Sequence, residues 1–263
     1  MKNLVAAVAV AGLAASASAT VLYSTSFESP FVNGALPGQQ GWATSAAGAS
    51  TLFQVANTAG LARTGSRFVQ FGTANINATV GSTAARWSWI DQVQPSLAGS
   101  ALPIIRASVW VAVLNSSTTR ESTGGIDLYN DAGTARIGAI RIADNGRIDL
   151  INGDSINAIV STPAGAVTPN AYNQVTVEAN FNTNTLRYFI NGFEIGLPAG
   201  FGIFAGSTGF GDADLYVTRN NPTGSSGGDT VLFDDLLIER IPTPGAVSVL
   251  ALAGLAAARR RRA

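Results

Sequence analysis

Acidic residues and tryptophans are the side chains of this chain whose spacing could do chemistry. Asp127 and Asp131, Asp212 and Asp214, and Asp234 and Asp235 are close carboxylate pairs. Two facing carboxylates can divide the roles of acid and base or nucleophile in cleaving a glycosidic bond. Asp212 and Asp214 flank Ala213 in what reads as a turn. Glu28, Asp229, Asp234 and Asp235 are candidate calcium ligands, because calcium takes roughly six to eight oxygens from carboxylates, carbonyls and amides. They would meet if the first and last strands pair. The alternative is that Glu28 and Asp234 accept backbone hydrogen bonds in an edge loop or face solvent. Trp87 and Trp89 stand two apart in a strand-like run and so share a face with Asp91. A pyranose ring stacks on such a platform, and Asp91 hints that the face is wet. The competing fate of both rings is the core, where large aromatics are common. Trp42, after Gly41 in a loop, fits either role, while Trp110 among alternating valines reads as packing.

Composition excludes much else. The chain has neither histidine nor cysteine, which removes Ser-His-Asp triads, Cys-His nucleophiles, the usual zinc sites and disulfides. Five of the 16 basic residues lie at the two ends, leaving 11 against 16 acidic residues and a body of about −5. An acidic body is unsuited to nucleic acid, whose phosphates need a positive face.

The elements that must position these residues are strands. Runs rich in Val, Ile and aromatics recur at 21–27, 68–71, 85–93, 104–114, 126–129, 137–143, 147–151, 174–181, 186–190, 215–219 and 231–240. Asp144-Asn145-Gly146 and Asn191-Gly192 read as tight hairpin turns. Amphipathic helix periodicity does not persist anywhere in the body. About eleven strands predict an all-β protein, a two-sheet antiparallel sandwich spanning 20–241.

Both ends carry addresses. Lys2, the apolar stretch Leu4–Ala15 and the small-x-small sequence Ala17-Ser18-Ala19 predict a signal peptide over 1–19, export by Sec-type machinery and a mature start at Thr20. Segment 242–263 joins Pro242-Thr243-Pro244-Gly245 to an uncharged run and then Arg259, Arg260, Arg261 and Arg262. Arginines resist crossing a bilayer and hold the preceding domain outside. The uncharged run has 13 residues, short of the roughly 20 of a comfortable span. This tail resembles the PEP-CTERM sorting signal, with Thr243 where that family usually has Glu. The resemblance implies a short hydrophobic helix, cytoplasmic arginines before processing, cleavage near Pro242–Pro244 by an exosortase-like membrane enzyme, and delivery to the cell surface, envelope or extracellular matrix. A plain membrane anchor is the alternative.

Within the body, Tyr172-Asn173-Gln174-Val175-Thr176-Val177, then Leu186 to Ile190 with Asn191-Gly192, resemble the late strands of concanavalin-A/laminin-G-like jelly rolls. Ser26-Phe27-Glu28 with Gly41-Trp42, and the segment 231–238, resemble that fold's first and last strands, which are neighbours in the family. Glycosidases of this fold carry a Glu-x-Asp-x-x-Glu array, and none of the carboxylate pairs has Glu at those offsets. The expectation is therefore an exported, surface-sorted, non-enzymatic sandwich with no catalytic residues. Extracellular polysaccharide is its expected partner and structural calcium its candidate cofactor. A lectin-like carbohydrate-binding module is the alternative, and a glycan-active enzyme stands behind it.

Overall fold

The structure is a computed structural model that describes residues 18–44, 52–73, 76, 82–114, 121–153, 159–197, 201–221 and 229–242. The predicted signal peptide up to Ala17 and the predicted sorting tail beyond Pro242 lie outside the described residues. No α-helix occurs among the described residues.

In chain order the strands begin with β1 (Thr20–Thr25), β2 (Gly34–Ala35), β3 (Ala43–Thr44), β4 (Phe53–Ala56) and β5 (Phe68–Gly72). The long strands β6 (Ser82–Gln94), β7 (Ile104–Leu114), β8 (Glu121–Asn130) and β9 (Arg136–Ala143) follow. Then come β10 (Ile148–Asn152), β11 (Ile159–Ser161), β12 (Asn173–Asn180), β13 (Thr185–Ile190) and β14 (Phe193–Ile195). The last two are β15 (Phe210–Asn221) and β16 (Thr230–Ile241).

They form two antiparallel sheets. The first runs β14-β13-β12-β7-β16-β5-β4-β2, with β1 also paired to β16. The second runs β11-β10-β9-β8-β15-β6-β3. The first and last strands are neighbours, as the jelly-roll resemblance implied, with Thr20 opposite Arg240. Both predicted hairpins form. Gly146 donates to the Ala143 carbonyl at 2.9 Å. Asn191 and Gly192 take φ of 51° and 83°, the left-handed pair that matches strand twist. The short strands β2, β3, β4, β11 and β14 escaped the sequence reading, because two to four residues show too little alternation.

Alternation places the core. Ile105, Ala107, Val109, Val111 and Val113 of β7 and Val175, Val177 and Ala179 of β12 face inward from the first sheet. Ile126 and Leu128 of β8, Ile140 and Ile142 of β9, and Ala213, Leu215 and Val217 of β15 face them from the second. Each inward residue contributes roughly 25 cal/mol per Å² of apolar surface removed from water. The outward side chains of the first sheet make an ion ladder: Arg106 bonds Glu178 and Glu239, and Arg187 bonds Glu178 and Glu194.

Two contacts set the distance between the sheets. A Cβ on Gly124 would stand 2.3 Å from Val231 Cγ1 and 3.1 Å from Val111 Cγ1. The Tyr188 hydroxyl of the first sheet donates to the Ile151 carbonyl of the second at 2.7 Å, and Tyr188 is fully buried. Gly124→Ala is expected to overpack this layer and cost about 1–3 kcal/mol. Tyr188→Phe should cost about 1 kcal/mol by orphaning a buried carbonyl. Urea unfolding of both variants measures these losses, with the glycine change the larger.

Candidate functional site

The outward face of the second sheet gathers the chain's unusual polar groups. Its centre is β15, paired with β6 on one side and β8 on the other. The segment Asp212-Ala213-Asp214-Leu215-Tyr216-Val217-Thr218 alternates strictly. Ala213, Leu215 and Val217 enter the core, so Asp212, Asp214, Tyr216 and Thr218 point outward. Asp212 and Asp214 thus lie on a strand and share a face, rather than flanking a turn.

Register builds three rows across this face. In one, Asp91 of β6 opposes Asp212, which opposes Tyr129 of β8, with Arg136 of β9 beyond. In the next, Trp89 opposes Asp214, which opposes Asp127. In the third, Trp87 opposes Tyr216, which opposes Gly125, with Arg141 and then Asp149 further on. Trp87 and Trp89 are half-buried and stand outside the core cluster, while the alternate residues Ser88 and Ile90 are buried. The pair therefore lies on the outer face, partly exposed and outside the core that was the competing expectation.

The rows are tied by charge and aromatic contacts. Asp127 is fully buried and receives Arg141 Nε at 3.1 Å and Nη2 at 2.6 Å, with Arg136 Nη1 3.7 Å away. The Arg141 guanidinium also lies 3.4 Å from the Tyr216 ring centre, a cation–π contact. Tyr216 meets Trp87 edge-on at 5.4 Å. Gly125 makes room for this layer, since a Cβ there would sit 2.1 Å from the Ile140 carbonyl oxygen. At the far edge Asp149 accepts from Arg147 and Ser161, and Arg147 continues to Glu121.

Asp212 and Asp214 lie side by side on this face and their carboxyls interact. Burial is the main cause that pushes Asp212 up to about 6, with Asp91 adding to it. Burial, then repulsion from Asp212, Asp127 and Asp91, pushes Asp214 well above the usual carboxylate range. Two adjacent carboxylates cannot both ionise cheaply, so the pair holds one proton, mainly on Asp214. Asp214 Oδ1 is buried and has no hydrogen-bond partner.

The other candidates are placed elsewhere. Trp42 is 2% exposed, packs on Phe27 and donates its indole N–H to the Tyr23 hydroxyl at 3.0 Å, so it is a core residue unable to meet a sugar. Trp110, read as packing, lies half-buried on the outward side of the first sheet with the Arg63 guanidinium 3.6 Å over its ring. The four calcium candidates do not converge. Asp234 Oδ2 accepts the backbone N–H groups of Arg63 and Thr64 at 2.9 and 3.1 Å. Asp235 takes the Arg63 guanidinium and the Thr64 hydroxyl. Glu28 accepts the N–H groups of Ser66 and Arg67, both at 2.6 Å. These three hold the 63–67 loop, which is the edge-loop alternative. Asp229 is fully buried at the opposite end of the pairing, where its N–H donates to Thr73. Among the described residues, no group of three or more His, Cys, Asp or Glu is placed to hold a metal ion. Pro242 ends the described chain after β16, and the rest of the tail motif lies outside it.

Sequence reasoning missed Asp127, Arg141 and Tyr216 as members of one face. The signal was present in the alternation from Phe210 onward, but the strand was begun at Leu215.

No protein-family model matches the chain, and no curated protein matches it in sequence. Solved structures do match in fold. A carbohydrate esterase from the Shiga toxin-encoding bacteriophage phi24B superposes with a TM-score of 0.52 at 16% identity, over 85% of this chain and 100% of that one. The CBM2 module of the evolved Dit of Lactobacillus casei BL23 phage J-1 gives 0.51 at 10% identity, over 86% and 98%. A GlcNAcα1-4Gal-releasing endo-β-galactosidase from Clostridium perfringens gives 0.51 at 9% identity, over 86% of this chain and 63% of that one. At such identities the likeness is one of fold. It corrects the expectation of a non-enzymatic protein: this sandwich is an architecture that an esterase and an endo-glycosidase also use.

The raised carboxyls give a pH signature. Between an ordinary aspartate value of about 3.9 and about 6, where Asp212, Asp144 and Asp234 lie, the folded chain keeps protons that the unfolded chain has released. These groups therefore stabilise the fold less as pH rises through that window. Carboxyl ¹³C NMR should show Asp212 titrating near 6. In Asp91→Asn its midpoint should fall, since the neighbouring charge that raises it is gone.

Proposed function

We propose that this protein is an exported glycan-binding sandwich of jelly-roll type, and that the outward face of the second sheet is its recognition surface. The observation that carries this reading is the half-buried Trp87–Trp89 pair on the outer face, aligned across the strands with Asp91, Asp212 and Asp214. Flat aromatic surface beside fixed polar groups is what binds a pyranose, whose faces are apolar and whose rim is hydroxylated. The carbohydrate-binding and carbohydrate-active fold neighbours support it as analogy of architecture. Extracellular polysaccharide is the partner class.

A second reading is favoured by the dyad. A carboxyl that keeps its proton near neutral pH can act as a general acid, and Asp214, with Asp212 beside it, supplies one next to an aromatic surface. On this reading the face cleaves a glycan as well as binding it. Export and sorting remain part of the proposal: signal-peptide removal after Ala19, then processing at Pro242–Gly245 by an exosortase-like enzyme.

Trp87→Ala and Trp89→Ala should each weaken binding to the preferred polysaccharide at least tenfold, about 1.4 kcal/mol, in affinity electrophoresis. Unchanged mobility shifts in both variants would refute the assignment of the face. Release of new reducing ends by the wild type, abolished in Asp214→Asn, would establish the enzymatic reading. Intact mass of protein from the native envelope and medium tests processing. A chain ending near Pro244 is the expected result, and one running to Ala263 would leave the tail a plain anchor.

A further inference from the structure

We infer that the ligand of this face carries an ammonium group beside its sugar ring, as in a deacetylated amino-sugar polymer, and that Asp212 and Asp214, with Asp91 at the rim, form its counter-ion. This rests on the reading of the face as glycan-binding.

The three carboxyls descend into the surface: Asp91 is exposed, Asp212 half-buried and Asp214 only 6% exposed. No arginine among the described residues makes an ion pair with any of them, because Arg136 and Arg141 are turned to Asp127. Asp212 and Asp214 interact with each other, and Asp214 Oδ1 has no donor at all. A buried acceptor left without a donor is unfavourable, and natural folds rarely keep one without use. Five carboxyls face two guanidiniums in these rows, so the face stays negative even with one proton held. A uronate would be repelled there. A neutral sugar could donate a hydroxyl to Asp214 but would leave the charge unbalanced. An ammonium supplies a donor for the orphaned oxygen and stands in for the proton that the pair otherwise holds, so the pair can give that proton up. Trp89, directly opposite Asp214, places a stacked ring next to that charge.

Proton balance follows. The free dyad holds one proton, and the ammonium takes its place while the proton leaves to solvent. The groups facing the pair are Asp91 on β6, Asp127 and Tyr129 on β8, Arg136 and Arg141 on β9, and Tyr216 on β15 itself. Burial raises both tyrosines, so neither titrates near 6. Binding should therefore strengthen as pH rises through about 6, where Asp212 ionises, until the ligand's own amine loses its proton.

The test is calorimetric titration of the full chain with glucosamine oligomers, N-acetylglucosamine oligomers and cello-oligomers of equal length, from pH 5 to pH 7 at about 0.15 M salt to screen diffuse attraction. The glucosamine oligomer should bind at least tenfold tighter than either neutral one, with proton release. Asp214→Asn and the exposed Asp91→Asn should each lose most of that preference, although neither changes the body's charge by more than a single unit. Equal affinity for all three oligomers, abolished by Trp87→Ala, would overturn the ammonium inference and leave the face as the glycan site. No binding, or binding untouched by the tryptophan variants, would overturn both.

Discussion

The two-residue period of β15 is the constraint on which both the core and the candidate site depend. A strand hydrogen-bonded on both sides cannot rotate, so each side chain is committed to one face. On β15 that commitment sends Ala213, Leu215 and Val217 into the interior and Asp212, Asp214 and Tyr216 to the outer surface. A slip of one residue would bury two carboxyls among Ile126, Leu128 and Ile140, at a cost no packing could offset. The apolar half of the alternation thus enforces the position of the polar half. The dyad needs no support of its own beyond correct strand register.

The first sheet meets a different demand. Its strand β16 must pair with β7 along one edge while β5 and then β1 share the other. The bulge at Asp234–Asp235 makes this workable. Before it Val231 and Phe233 point inward; after it Leu236 and Ile238 do, so one extra residue resets the parity. Asp235 takes a left-handed φ of 48° there. The freed carboxylates capture the backbone of the 63–67 loop, and Glu28 completes the clasp. Acidic residues that could have drawn a cation instead act as acceptors for N–H groups that no strand satisfies.

Charge is divided unequally over the second sheet's outer face. Near β9 and β10, Asp127 and Asp149 are each held by arginine, and Arg141 is further fixed over Tyr216. Such pairs bury charge only because both signs are present. Near β6 no arginine among the described residues pairs with the carboxyls, and they answer burial by holding a proton. The face therefore has a rigid, neutralised side and a side open to a donor from outside. The two tryptophans stand on the open side.

Much of this was legible in the sequence. Val/Ile-rich runs, Asn191-Gly192 and Asp144-Asn145-Gly146 determine an all-β chain with hairpins at those points, because turn chemistry and alternation are local properties. Composition alone removes histidine and cysteine chemistry, and the spacing of Trp87, Trp89 and Asp91 by itself determines that they share a face. Which face was not legible. Trp87 and Trp110 sit in equally plausible strands, and only the opposite sheet decides whether a ring is covered or left half-open. The same holds for Trp42, which enters the core because β1 brings Tyr23 to its indole N–H. The meeting of Asp91, Asp127 and Asp214, residues far apart in the chain, depends on β6, β15 and β8 lying side by side. That order is set by long-range burial, and no local pattern along the chain encodes it.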